Sequence, residues 1–266
     1  MGGVATYLDR ILVHHRERAA ADDRPVADLR ARCADLPPTR GFAAVLADRS
    51  TLGVISEVKR RSPSKGDLFA DLDPADLARS YEQGGAACLS VLTDRPHFGG
   101  SPDDLAAARD AVSIPVIRKD FTVAVRDVLD ARLMGADAVL LIVAALSDGE
   151  LAELDGVAAE VGLDALVETH DEDEVARAAA HTRATLVGVN QRDLVTFEVD
   201  TARAVRVSKA IPGGAVKVAE SGIRGVDDAI ELAAAGYDAV LVGEHLVTSG
   251  DPAAAVAALS VPRVRG

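Results

Sequence analysis

The chain has no tryptophan, three tyrosines and five phenylalanines, so aromatic residues make up only 3% of its 266 residues. Close packing must therefore come from branched aliphatics and alanine, and at 48% hydrophobic content a large core is within reach. Cysteine is nearly absent. Cys33 and Cys88 form no CxxC and are too few for a disulfide framework, which predicts two reduced thiols. No apolar run approaches the ~18 residues that would span a bilayer. The opening "MGGVATYLDRILVHH" carries charges through its apolar stretch, unlike a secretion signal. These absences predict a soluble cytoplasmic protein with no membrane partner. Positive charge is also scarce, with 29 Lys and Arg against 42 Asp and Glu and a net charge of −13. That excludes a general nucleic-acid-binding face, which needs a basic patch. It does not exclude an anionic small ligand, because cations can gather locally in a cleft.

Linkers rich in Pro, Gly or Ser and low-complexity tracts are missing too. What is present is an alternation. Residues 5 to 49 read as three helices, with Tyr7, Ile11 and His14 or His15 on one face of the first and Pro37-Pro38 closing the second. From residue 54, eight short apolar runs alternate with amphipathic stretches: "VISEVK", "ACLSVLT", "IPVIRKD", "DAVLLIV", "DALVETH", "TLVGVN", "AVKVAES" and "DAVLVGE". Many of the intervening helical segments end on Gly, as a C′ residue would. Alternating strand and helix implies parallel pairing with right-handed crossovers. Near-continuous apolar strands imply burial on both faces. Eight units predict an α/β fold, a (β/α)8 TIM barrel with an N-terminal helical extension. An open doubly wound sheet would usually show GxGxxG after its first strand, and none occurs there. The whole chain, 1–266, reads as one domain, with about residues 1–50 as the capping extension and about 54–260 as the barrel.

In such a barrel the chemistry sits at the C-terminal strand ends, on residues that point inward at alternate positions. That phase selects Glu57 and Lys59 from the first run, Lys119 from the third, Glu168 from the fifth and Asn190 from the sixth, with Arg192 just beyond. It selects Ala219 and Ser221 from the seventh, followed by Gly222, and Gly243 closes the eighth. Singly, Glu57 and Lys59 read as a structural salt bridge, Lys119-Asp120 as a solvated turn and Asn190 as a loop cap. Isolated charges are costly to bury, so together they should meet in one mouth and pair there. Two Lys and two Glu suit proton transfer. The small residues in "ESGI" and "VGEH" let backbone N–H groups approach a ligand where barrels often bind phosphate. The six histidines form no HExxH and no two-His-plus-carboxylate spacing, so no metal is expected.

The segments "EVKRRSPSKG", "VIRKDF", "GADAVLLIVAAL", "LVETHDEDEV", "VGVNQRDLVTFEVD", "VAESGI" and "AVLVGEHLV" resemble, in order, those of indole-3-glycerol phosphate synthase, from about residue 5 to 250. The resemblance implies a carboxy-lyase of tryptophan biosynthesis. Its substrate is 1-(2-carboxyphenylamino)-1-deoxyribulose 5-phosphate, which closes a ring and loses CO2 and water. No cofactor is implied. By motif, Lys119 matches the general acid at the carbonyl oxygen and Lys59 the lysine near the substrate carboxylate. Glu57 and Glu168 match glutamates that stabilise the iminium charge and move protons, and Asn190 the residue that orients them. Ser62 and Ser221 match substrate contacts, and Ser62, Gly222, Gly243 and Glu244 the phosphate site. Arg192 matches an arginine near the site, and Phe98, Phe121 and Leu140 match positions that line the aryl pocket. Two departures stand out: Glu244 replaces a small hydroxyl residue, and Tyr7 is the only aromatic near the start that could cover the substrate. Arg60 should serve the scaffold and Lys65 should be a solvated loop charge. The expected state is a monomer or weak homo-oligomer. The rivals are a phosphoribosylanthranilate isomerase, which would need a Cys/Asp pair, and a binding-only barrel.

Overall fold

The structure is a computed structural model that describes residues 6–62, 66–69, 71–193 and 195–263. Lys65 lies outside the described residues. The eight apolar runs form eight strands: β1 (Gly53–Val58), β2 (Cys88–Leu92), β3 (Val116–Lys119), β4 (Ala138–Ile142), β5 (Asp164–Thr169), β6 (Leu186–Asn190), β7 (Val216–Glu220) and β8 (Ala239–Val242). Each pairs in parallel with its sequence neighbours, and β8 returns to β1 to close the barrel. Almost every strand residue is buried, as a sheet covered on both faces requires.

The intervening helices start where the sequence supplies a cap. Asp73, Ser101, Ser147, Asp171 and Asp251 each accept a hydrogen bond from a backbone N–H of the first turn. Pro74, Pro102 and Pro252 follow at a position with no N–H to lose. Two helices that end before Gly162 and Gly236 turn back to the barrel there, at φ +77° and +87°, which glycine adopts without a Cβ clash.

Three helices precede the barrel: α1 (Tyr7–Ala21), α2 (Val26–Ala34) and α3 (Phe42–Ala47). On α1 the buried face holds Ile11 and His15, which resolves the choice between His14 and His15. Arg16 ties α1 to Glu150, and Arg18 ties it to Asp127. Phe42 and Leu46 of α3 are fully buried in the main core.

The bottom of the barrel is held by a repeated device. Three runs begin Asp-Ala, and each aspartate bonds backbone or arginine there. Asp137 accepts from the N–H of Arg40 and of Val116 and from Arg109 Nη1, at 2.7–2.8 Å. Asp164 accepts from the N–H of Ala43, and Asp238 from that of Lys217 and from Arg263. Asp137 is wholly buried, so its removal leaves two N–H groups and a guanidinium without a partner. Asp137→Ala should cost about 3–5 kcal/mol of stability. Turnover per folded molecule should be unchanged. Chemical denaturation and activity at a permissive temperature check both halves.

Candidate active site

The strand ends at the opposite face open into a cavity of about 550 Å³. Glu57, Lys59, Ser62, Phe98, Lys119, Phe121, Leu140, Glu168, Asn190, Arg192, Ser221, Gly222, Gly243 and Glu244 all line it. Of the positions selected from the sequence, Ala219 alone is not among the residues lining this mouth.

Register explains the convergence. Asn190 of β6 stands opposite Glu220 of β7, which stands opposite Leu241 of β8, which stands opposite Ile55 of β1. Residues opposite one another share a face, so this row points inward. The row corrects the phase read for β7. Val218 and Glu220 face the barrel, not Ala219 and Ser221. Ser221 lies past the strand end, at φ +65°, and still lines the cavity. With Glu220 added, the cavity lining holds four glutamates, Glu57, Glu168, Glu220 and Glu244, and two lysines. The missed signal was the apolar spacing itself: Val216, Val218 and Glu220 keep one face, and the phase was set one residue late.

Lys119 is the centre of charge. Its Nζ lies 3.2 Å from Glu168 Oε2 and 3.5 Å from Glu220 Oε2, and its side chain keeps 15% exposure toward the mouth. Burial works against the ammonium, but Glu168, Glu220 and Glu57 together hold its pKa above the ordinary lysine value. Glu168 is 1% exposed. Burial opposes its charge, yet Lys119, His170 and a 3.1 Å hydrogen bond from Asn190 Nδ2 to Oε1 keep its pKa below the usual carboxylate range. Glu220 behaves oppositely. Burial and the charge of Glu168 push it up to about 8 despite Lys119. Neither of its carboxylate oxygens finds an N–H or O–H donor among the described residues. A carboxyl so placed holds its own proton near neutrality and can donate it to Glu168. Two carboxyls beside one ammonium thus differ in protonation, which suits acid and base work in one site.

Glu57 pairs with Lys59 at 2.6 Å. This pair occupies the space where a Cβ on Gly243 would be, so the glycine makes room for the pair. Gly188 does the same for the Glu220 carboxylate. Gly222, at φ +76°, has a second constraint: a Cβ there would meet Val199 and sit close to Gln191 and Thr201. A substitution at Gly222 would therefore disturb the neighbouring loop before it tested any ligand contact.

Phe98 and Phe121 stand with ring centroids 6.3 Å apart and form an apolar wall with Leu140. Arg192 donates its N–H to Asn190 Oδ1 and its guanidinium to the Phe197 carbonyl, bracing a loop that also brings Phe197, Val199 and Thr201 to the cavity. Sequence reasoning did not name those three. Tyr7 packs edge-on against Phe197 at 5.1 Å and His97 at 5.9 Å, which sets it at the rim. Ser62 belongs to a short antiparallel ribbon with Gly66 beside β1. Arg60 turns outward to Asp104 and the Leu72 carbonyl. Asp120 is no solvated turn: it is buried against Arg118, Thr93 and Phe121 N–H.

The structure also brings together a set that linear spacing does not show. His15, Asp94 and His97 place donor atoms within 4.8 Å of one another. Asp94 accepts from His15 Nε2 at 2.8 Å and is 3.0 Å from His97 Nδ1. Both imidazoles already bond the Asp94 carboxylate, which fastens α1 to the end of β2.

A family model for indole-3-glycerol phosphate synthase matches residues 8–259. The chain belongs to the indole-3-glycerol phosphate synthase family. It is 49% identical over 257 residues to the indole-3-glycerol phosphate synthase of Mycobacterium avium, covering 96% of this chain and 94% of that one. It is 49% identical over 244 residues to indole-3-glycerol phosphate synthase 2 of Streptomyces coelicolor, covering 92% and 93%. For the Rhodopirellula baltica enzyme the values are 47% over 256 residues, 96% and 98%. Among solved structures, thiamine phosphate pyrophosphorylase from Pyrococcus furiosus shares the fold, with a TM-score of 0.59 at 17% identity, over 78% of this chain and 93% of that one. Membership makes this barrel a decarboxylating lyase of tryptophan biosynthesis acting on a small phosphorylated substrate. Among the described residues no helix is long and apolar enough to cross a membrane.

The raised pKa of Glu220 generates a test within the family's reaction. The group is neutral below about 8 and charged above it. A second anion beside Lys119 makes that ammonium a weaker acid. In the parent, kcat/KM should therefore fall as pH passes about 8. Whatever its absolute rate, the Glu220→Gln variant should lack that limb, because glutamine stays neutral. A pH profile of kcat/KM for both proteins decides it.

Proposed function

We propose that this mouth closes the indole ring of indole-3-glycerol phosphate with Lys119 as the principal acid. Forming the new carbon–carbon bond moves negative charge onto the substrate's carbonyl oxygen, and a positioned ammonium delivers a proton there. The aryl nitrogen supplies the electrons and becomes an iminium. Glu57 and Glu168 stabilise that positive charge and take part in the later proton transfers. Loss of CO2 returns an electron pair to the ring system and quenches the iminium. Dehydration then needs one acid, for the departing hydroxyl, and one base, for the carbon-bound proton. Lys59 faces the substrate carboxylate and Asn190 orients Glu168. Phe98, Phe121 and Leu140 enclose the aryl ring. Ser62, Ser221 and Arg192 contact the substrate, and Ser62 with the backbone at Gly222, Gly243 and Glu244 receives the phosphate.

The observation that carries this reading is the Lys119 ammonium set between Glu168 and Glu220 at the floor of the mouth. We further read residues 1–266 as one catalytic domain, cytoplasmic and monomeric or weakly self-associating, with no metal or cofactor in turnover.

With the synthetic carboxyphenylamino substrate, product indole fluorescence should report turnover by the purified chain. Lys119→Ala should lose roughly a hundredfold to ten-thousandfold in kcat while substrate still binds. Near-normal kcat would remove Lys119 from the role. Turnover should also survive exhaustive EDTA treatment, and a loss that Mg²⁺ or Zn²⁺ restores would overturn the metal-free mechanism. An isomerase or a binding-only barrel would give no fluorescent product.

A further inference from the structure

His170 follows β5 directly, two residues beyond Glu168, and its side chain is 12% exposed. Its surroundings fix its chemistry. Glu174, from the helix Glu172–His181, accepts the backbone N–H of His170 at 2.8 Å and lies 3.0 Å from its Nδ1 through the same oxygen, Oε2. A carboxylate only accepts, so Nδ1 carries a hydrogen. The other ring nitrogen, Nε2, is buried, has no hydrogen-bond partner among the described residues, and lies 3.8 Å from Glu168 Oε1. On a neutral ring this Nε2 would turn a bare lone pair toward a carboxylate. On a protonated ring the same face attracts it.

We propose that His170 is a positioning residue for the family's reaction: an imidazolium, clamped by Glu174, that holds Glu168 ionised and leaves the proton of the glutamate pair on Glu220. The charged groups facing His170 are Glu168 and Glu174, which favour the cation, and Arg203, which opposes it. Burial lowers the pKa of the ring, but the two carboxylates outweigh it and the net direction is upward. Glu168 in turn counts His170 as its second cation after Lys119. The two glutamates then have separate roles. Glu168 remains an anion available to a developing iminium. Glu220 keeps a proton that it can give and recover. No bond to substrate is made by His170 itself. Its charge is present below its raised pKa and is lost above it.

This inference rests on the reading of Glu168 as part of the reaction, and the experiment separates the two. In His170→Asn the cation is gone and the ring is replaced by a neutral amide. Glu168 should then hold a proton to higher pH, because a cation within a few ångströms lowers a carboxylate pKa by about one unit or more. The acid limb of kcat/KM should move up by about one pH unit or more, with KM at high pH nearly unchanged. Glu174→Gln should move the limb in the same direction by less. In His170→Gly, added imidazole should restore activity by refilling the space with a titratable cation. A His170→Asn profile that superimposes on the parent, or a uniform loss at every pH that tracks a lower Tm and resists imidazole, would overturn the inference. Glu168→Gln serves as the control. If it turns over normally, the reading of Glu168 has failed. If it is inactive while His170→Asn keeps the parent profile, only the role of His170 has failed.

Discussion

The structure is organised around one electrostatic constraint: three buried glutamates and a lysine pair at the floor of a barrel. Glu57, Glu168 and Glu220 are each at most 5% exposed. Carboxylates that deep are not stable as isolated charges. Lys119 compensates two of them and Lys59 the third. The compensation is incomplete, because two ammonium groups cannot balance three carboxylates. Burial and the charge of Glu168 answer this by pushing the pKa of Glu220 up to about 8. Much of the local design follows from this imbalance. Glycines at 188 and 243 leave room for the carboxylate and for the ion pair, and Asn190 fixes one oxygen of Glu168.

The barrel was legible because its signals are long-range and redundant. Eight apolar runs, each separated by an amphipathic stretch, leave few other architectures. Strand ends were legible for a second reason. An inward polar residue at the end of an apolar run is costly, so Glu57, Lys119, Glu168 and Asn190 stood out. Glu220 did not, because "AVKVAES" holds a polar residue on each face at its end, Glu220 on one and Ser221 on the other. The pairing of Glu220 with Asn190 and Leu241, in line with the apolar spacing of Val216 and Val218, settles which faces in. Phe197, Val199 and Thr201 were illegible for another reason: they reach the cavity through a loop braced by Arg192, and no periodicity reports a loop path. The His15–Asp94–His97 set depends on three separate elements meeting, which spacing along the chain does not encode.

The helical extension and the mouth are mechanically joined. His15 of α1 bonds Asp94 and packs its ring against Phe121 at 5.3 Å. Asp94 is also part of the cavity wall. A displacement of α1 would therefore shift the aromatic wall directly, without passing through the barrel core. The extension thus braces the pocket wall from behind.

The aspartates that open β4, β5 and β8 have a consequence for how this chain tolerates change. Asp137, Asp164 and Asp238 lock backbone and arginine at one end of the barrel, while the glutamates and lysines proposed to handle protons lie at the other. Strands of four to six residues separate the two sets. Substitutions at one end then add nearly independently to those at the other. The upper loops can be exchanged for loops of different specificity while the lower ring keeps the cylinder closed. In engineering terms the barrel is a chassis with its fasteners underneath, and a new reaction could be fitted from above without re-deriving the frame.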